Sequence, residues 1–187
     1  FSLIPSISGK AFTKYPKLHT PSIASILSKY GYTSHYFAAH NSREFDNTHP
    51  FLKEHGFKHL NVVADFLTEK DKQERMTWGV DDSTFYKRFF NFFDSHTKKD
   101  TSPQLFVITT IANHFPFNST PEEKRAMFKY PDGFKENYAN SVHLSDLGIK
   151  TFIKELKKRK LYDNSIIIIT GDHSFPMGEH GNYHLES

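Results

Sequence analysis

The sequence predicts an α/β fold in which a mostly parallel sheet is sandwiched by helices. Strand-like and helix-like patterns alternate along the 187 residues. Residues 105–111 and 166–169 are continuous apolar, β-branched runs, as expected of strands buried on both faces. Clusters of Gly, Pro, Asn and Asp punctuate these patterns. The length fits one unit of roughly 150 residues, so 1–187 is read as a single fragment of a domain, incomplete at both ends.

Residues 1–17 are rich in Ser, Pro and Gly and read as an irregular lead-in. Thr20 is placed as an N-cap with Pro21 at the first helical position. Ile23, Ile26, Leu27 and Tyr30 form an apolar stripe, and Gly31 stands where a C-terminal cap belongs. A strand at 32–38, a short helix at 47–55 closed by Gly56, and a strand at 59–63 follow. Asp81 or Asp82 caps a helix to about Thr97, with Phe85, Phe89, Phe92 and Phe93 at helical spacing for the core. After the 105–111 strand comes a long loop, 112–133. A helix over 134–161 then turns Tyr138, Val142, Ile149, Ile153 and Leu156 inward and ends in lysines that suit its dipole. Residues 165–170 make the last strand, and 171–187 carry Gly and His without periodicity.

Composition excludes several classes. Apolar residues at 37%, with 19 Phe, rule out disorder. No window reaches the ~18 to 20 apolar residues of a membrane-spanning helix. Lys and Arg (24) barely exceed Asp and Glu (21), which is no nucleic-acid footprint. Without Cys there is no disulfide framework, thiolate zinc site or Cys nucleophile.

In parallel α/β sheets, ligands bind beyond the carboxyl ends of the strands. Three polar clusters fall there: His40-Asn41, Asn113-His114 and Asp172-His173. Asp172 and His173 pair a hard carboxylate oxygen with an imidazole nitrogen, a combination suited to Zn²⁺ or Mn²⁺, on the ledge formed by the preceding isoleucines. His180 and His184, at i, i+4 beside Glu179, could meet a second metal or a phosphate oxygen. His114, in the rigid stretch Asn113-His114-Phe115-Pro116-Phe117, could donate to an anionic substrate oxygen. Each has a plainer alternative: Asp172 as a turn cap, His114 bonded to a loop carbonyl, the His-rich tail as a mobile loop. Asp81-Asp82 is read as helix capping, not as a catalytic pair. Ser6 and Ser8 lack the G-x-S-x-G elbow, and neither phosphate-binding glycine loop is present.

Six stretches, in order, resemble the sulfatase-like branch of the alkaline phosphatase superfamily, which contains lipoteichoic acid synthases and phosphoglycerol transferases. They are Leu3-Ile4-Pro5-Ser6-Ile7-Ser8-Gly9, Thr20-Pro21-Ser22-Ile23, Phe45-Asp46-Asn47 with Gly56-Phe57, Trp78-Gly79-Val80-Asp81-Asp82, Asn113-His114-Phe115-Pro116-Phe117, and Tyr162-Asp163-Asn164 leading into Gly171-Asp172-His173. The resemblance implies a divalent metal, Mn²⁺ or Zn²⁺ with Mg²⁺ or Ca²⁺ as alternatives, held by Asp172, His173 and, at a second site, His184. It implies that His114 stabilises the transferred group, and that His40 and Asn41 lie where a phosphoglycerol head group is contacted. There the family's Trp-Asn-Arg reads Asp46-Asn47-Thr48. In the family, the Thr or Ser nucleophile and first metal carboxylate precede the Pro5-Ser6 stretch. The 187 residues alone are therefore expected to be inactive. The implied protein is an extracytoplasmic bacterial phosphoglycerol or phosphoethanolamine transferase. Its partner is a phospholipid head group or small phosphate or sulfate ester, and a membrane anchor lies outside these residues. The competing readings are a sulfatase or phosphomonoesterase, and a non-catalytic domain that binds anionic head groups.

Overall fold

A computed structural model describes residues 11–15, 17–73, 79–96, 99–173, 175 and 177. Three parallel strands form its centre: β1 (Thr33–Ala38), β2 (His59–Val62) and β3 (Gln104–Thr109), in the order β2-β1-β3. His35 stands opposite both His59 and Phe106, and Ala38 opposite Val62 and Thr109. Parallel neighbours need crossovers. Helix α3 (Thr48–Glu54) lies between β1 and β2 in the chain, and α4 (Glu69–Gln73) and α5 (Asp82–His96) lie between β2 and β3. The remaining helices are α1 (Ala11–Lys14), α2 (Ile23–Ser28) and α6 (Phe134–Lys158).

Every residue of the central strand β1 is buried, and its alternation feeds two cores. Phe37 joins Val63, Phe85, Phe89, Phe90 and Leu156 on the face covered by α5 and α6. Tyr36 and Ala38 join Ala24, Phe51, Leu52 and Phe57 on the face covered by α2 and α3. Burying each such Phe stabilises the fold by roughly 1.5–3 kcal/mol, which makes the aromatic face of α5 the main anchor of the sandwich.

Several expectations are corrected. Helix α2 starts two residues late: Ser22 is its N-cap, and its hydroxyl accepts the Ser25 amide at 3.0 Å. The presumed inward stripe faces out, with Ile23 at 52%, Ile26 at 47% and Tyr30 at 74% exposure, because Ala24 is the residue that meets the sheet. In α6 the buried positions are Asn140, Ser141, Leu144, Gly148 and Leu156, while Val142 is exposed. Packing sets this rotation: the β-carbon of an alanine at Gly148 would fall 2.5 Å from Asp82 Cβ, so α5 and α6 touch along this line. Residues 165–170 are not a strand among the described residues. No neighbouring ladder receives their backbone, and Ile166, Ile168 and Ile169 are 95, 77 and 60% exposed, while Ile167 alone of the run packs against the α5 core. Ser6, Ser8, Trp78, Glu179, His180 and His184 lie outside the described residues.

Candidate active site

The carboxyl ends of β1 and β3 are joined by the Ala39 amide, which donates to the Thr109 carbonyl at 2.9 Å. The first cluster begins one residue later. His40 is buried, pairs with Gly79 in an isolated bridge, and lays its ring 4.7 Å from Phe45. That bridge needs glycine, because a β-carbon at residue 79 would sit 2.1 Å from the Ala39 carbonyl oxygen. His49, also buried, stands 6.4 Å from His40 and 6.2 Å from Tyr36. Burial lowers the pKa of His40, helped by His49; burial lowers that of His49, helped by the Arg43 charge. Both imidazoles are therefore neutral near pH 7, and Asn41 is half-buried beside them.

Past β3 the chain forms a tight turn: the His114 amide donates to Ile111 at 3.0 Å, and Phe117 donates to His114 at 3.1 Å. The Phe115–Pro116 bond is cis, and Phe117 has φ 63°. His114 Nδ1 lies 2.7 Å from the Phe115 carbonyl. A carbonyl only accepts, so Nδ1 carries the proton, and Nε2 is the atom that can address a ligand. The plainer expectation, a loop-carbonyl bond, is thus met at Nδ1.

The third cluster is docked onto this turn by aromatic rings. Phe175 stacks on Phe115 at 5.4 Å and meets Phe117 and Phe134 at 5.2 and 5.3 Å. The Asp172 charge adds to the burial that raises the Tyr36 pKa on β1. Asp172 and His173 are exposed, with side chains at 68 and 65%, and the His173 amide donates to Asp172 Oδ1 at 2.9 Å. The donor types suit a divalent cation. They would be two donors of a set that needs four or more, and no group of three metal-ligating side chains occurs among the described residues.

Two supporting residues were not singled out as such from sequence. Asp81 does cap α5: its carboxylate accepts the Thr84 amide at 3.2 Å and Lys124 at 3.1 Å. Burial raises the Asp81 pKa, but Thr84 and Lys124 outweigh it and hold the carboxyl low. Asp82, 1% exposed, accepts the Ser145 hydroxyl at 2.7 Å. Burial raises its pKa, with Ser145, the Ala112 amide and Thr110 drawing it back, so one carboxylate ties α5 and α6 to the foot of the His114 turn. Asn140, 1% exposed on α6, holds the long loop: Oδ1 accepts the Met127 and Phe128 amides at 3.1 and 3.0 Å, and Nδ2 donates to the Phe128 carbonyl at 2.7 Å. The only cue was a polar residue on a buried helical face.

A parallel sheet between two helical layers, with His40 just past β1 and the His114 turn past β3, defines an α/β domain. The chain belongs to the sulfatase family, whose family model matches residues 3–187. It is 30% identical over 177 residues to lipoteichoic acid synthase 2 of Bacillus subtilis, covering 92% of this chain and 26% of the relative. The fold matches the crystal structure of the lipoteichoic acid synthase LtaP from Listeria monocytogenes, with a TM-score of 0.80, 23% identity, and coverage of 94% of this chain and 42% of that one. It also matches Streptococcus pyogenes phosphoglycerol transferase GacH in complex with sn-glycerol-1-phosphate, with a TM-score of 0.51, 19% identity, and coverage of 82% and 40%. The chain spans about a quarter of the length of the curated relatives it matches. Among the described residues, no helix is long and apolar enough to cross a membrane.

Proposed function

We propose that this chain is part of the catalytic domain of a metal-dependent phosphoryl-group transferase of the phosphoglycerol or phosphoethanolamine type. What supports the reading is the placement of His40 just past β1 and of His114 past β3, with Phe175, close in sequence to Asp172-His173, stacked on Phe115 of the His114 turn, in a chain whose relatives are lipoteichoic acid synthases and phosphoglycerol transferases. Asp172 and His173 would each give one ligand atom to a divalent cation, with His184 a further candidate. Such a cation, when bound, neutralises charge on the transferred group and activates the Thr or Ser nucleophile that the resemblance places outside these residues.

The side chains then divide the work. His114, with Nδ1 committed to Phe115, presents Nε2 to a non-bridging oxygen; when protonated it donates a charge-assisted hydrogen bond there. His40 and Asn41 offer neutral polar groups, suited to the hydroxyls of a glycerol head group rather than to its charge. The phosphate is left to the metal ledge and His114. Substrate would arrive as a phospholipid head group at the extracytoplasmic face of a bacterial membrane, with the anchor outside this chain.

The test uses the full-length protein. Asp172→Asn should abolish transfer from a phosphoglycerol lipid and lower metal content, with an unchanged circular dichroism spectrum. His114→Ala should lower turnover by about 10²-fold or more with metal content intact. Unchanged turnover in Asp172→Asn would remove it from the metal site, and metal loss in His114→Ala would reassign that residue as a ligand. Wild-type protein that cleaves a sulfate ester but transfers no phosphoglycerol would favour the sulfatase reading.

A further inference from the structure

The opposite edge of the sheet, at the amino ends of the strands, holds a second histidine cluster that the proposed chemistry does not use. His59, His35 and Phe106 are cross-strand partners on β2, β1 and β3, and their rings stack in a row, with centroids 4.5 and 4.9 Å apart and interplanar angles of 15 and 25°. The last turn of α5 closes over this row. His96 meets His35 edge-on at 4.6 Å and His59 at 6.1 Å, and Phe92 meets His35 at 5.9 Å while stacking on His96. Three imidazoles from three elements therefore occupy one apolar contact.

The surroundings of His35 leave a second proton on its ring without an acceptor. His35 is 0% exposed, and its Nε2 lies 3.0 Å from Gln104 Oε1. The Gln104 amide nitrogen donates to the Ser102 carbonyl at 2.9 Å, so Oε1 is the acceptor and His35 Nε2 carries the proton. His35 Nδ1 is then the unprotonated nitrogen, buried and without a hydrogen-bond partner; His96 Nε2 is also buried without one. The remaining charged groups facing the cluster are Asp100, whose carboxylate is 3.9 Å from His96 and bonded to Thr33 and the Ser102 amide, and Lys58, which adds positive charge beside His59.

We infer that this stack is an acid-operated clasp: protonation of the buried His35 at its centre releases the last turn of α5 from the amino edge of the sheet. A proton on His35 Nδ1 would put a charge between two further imidazoles with no acceptor in reach. Burial, then His59 and His96, lower the His35 pKa to about 4, and burial lowers that of His59 as well. The sign follows: a group whose folded pKa lies below its unfolded value of 6.5 leaves stability intact above pH 6.5 and erodes it down to about pH 4. For His35 alone, opening becomes about 30-fold more favourable at pH 5 than at pH 7.5. The effect reaches the site because α5, 15 residues and about 22 Å long, carries Asp82 at its other end.

The clasp is tested by hydrogen exchange on the full-length protein at pH 7.5 and pH 5, with rates corrected for intrinsic pH dependence. Wild type should lose protection at residues 92–96 by about 10-fold or more at pH 5, reversibly. His35→Phe keeps the ring stack without the titrating nitrogen and should hold that protection at both pH values; should it fail to fold, His59→Phe serves, with a reduced loss expected. Equal wild-type protection at both pH values, or the same loss in the Phe variant, would overturn the inference. The readout involves no substrate, so it stands or falls apart from the transferase reading.

Discussion

Asn140 shows how one side chain can organise a loop that has no regular structure of its own. Its amide satisfies three backbone groups of the 112–133 connection from a position 1% exposed on α6. Replacement by Ala removes the bonds and leaves backbone groups poorly satisfied. Asn140→Ala should cost about 2–4 kcal/mol in urea unfolding, and Asn140→Asp less, because the two accepted bonds survive. A variant with an unchanged midpoint would show that water replaces the amide. Buried polar residues are the ones that sequence periodicity handles worst: Asn140, Asp82 and His35 are each buried and bonded to a partner distant in the chain, which no local pattern predicts.

At the scale of elements, α5 and α6 approach closely enough that Gly148 has no room for a methyl group beside Asp82. Alanine there gains about 1 kcal/mol of helix propensity but must push the helices apart. Gly148→Ala is expected to destabilise the protein by a net 1–3 kcal/mol or so, read as a fall of several degrees in Tm; a rise would mean that the contact relaxes freely. The β1, β2, β3, α3 and α5 spans follow their sequence patterns to within one or two residues. The face of α2 and the run 165–170 do not. A stripe of isoleucines states that a surface is apolar, but the surface that receives it must come from other elements. For Ile166, Ile168 and Ile169 the described residues supply none.

For the whole molecule, the sheet separates two functions of its edges, with the candidate site at the carboxyl ends and the histidine stack at the amino ends. The chain covers about a quarter of its curated relatives, and in the proposed reading Asp172 and His173 would provide two ligands. The 187 residues alone should therefore bind Zn²⁺ weakly by calorimetry and turn over no phosphodiester reporter, whereas the full-length protein should do both. Turnover by the purified short chain would show that the nucleophile lies within it.

The sequence by itself determined the α/β alternation, the aromatic core of α5, the Asp81 cap, and the His40, His114 and Asp172-His173 clusters, because each rests on spacing within a short stretch. Only the tertiary structure decided that Phe175 stacks on the His114 turn, that Asp82 ties α5 to α6 and Asn140 holds the long loop, that Ile23, Ile26 and Tyr30 of the α2 segment face outward, and that His35, His59 and His96 meet. Those facts depend on contacts between residues up to about 70 positions apart, set by strand register and helix packing, which no local pattern encodes.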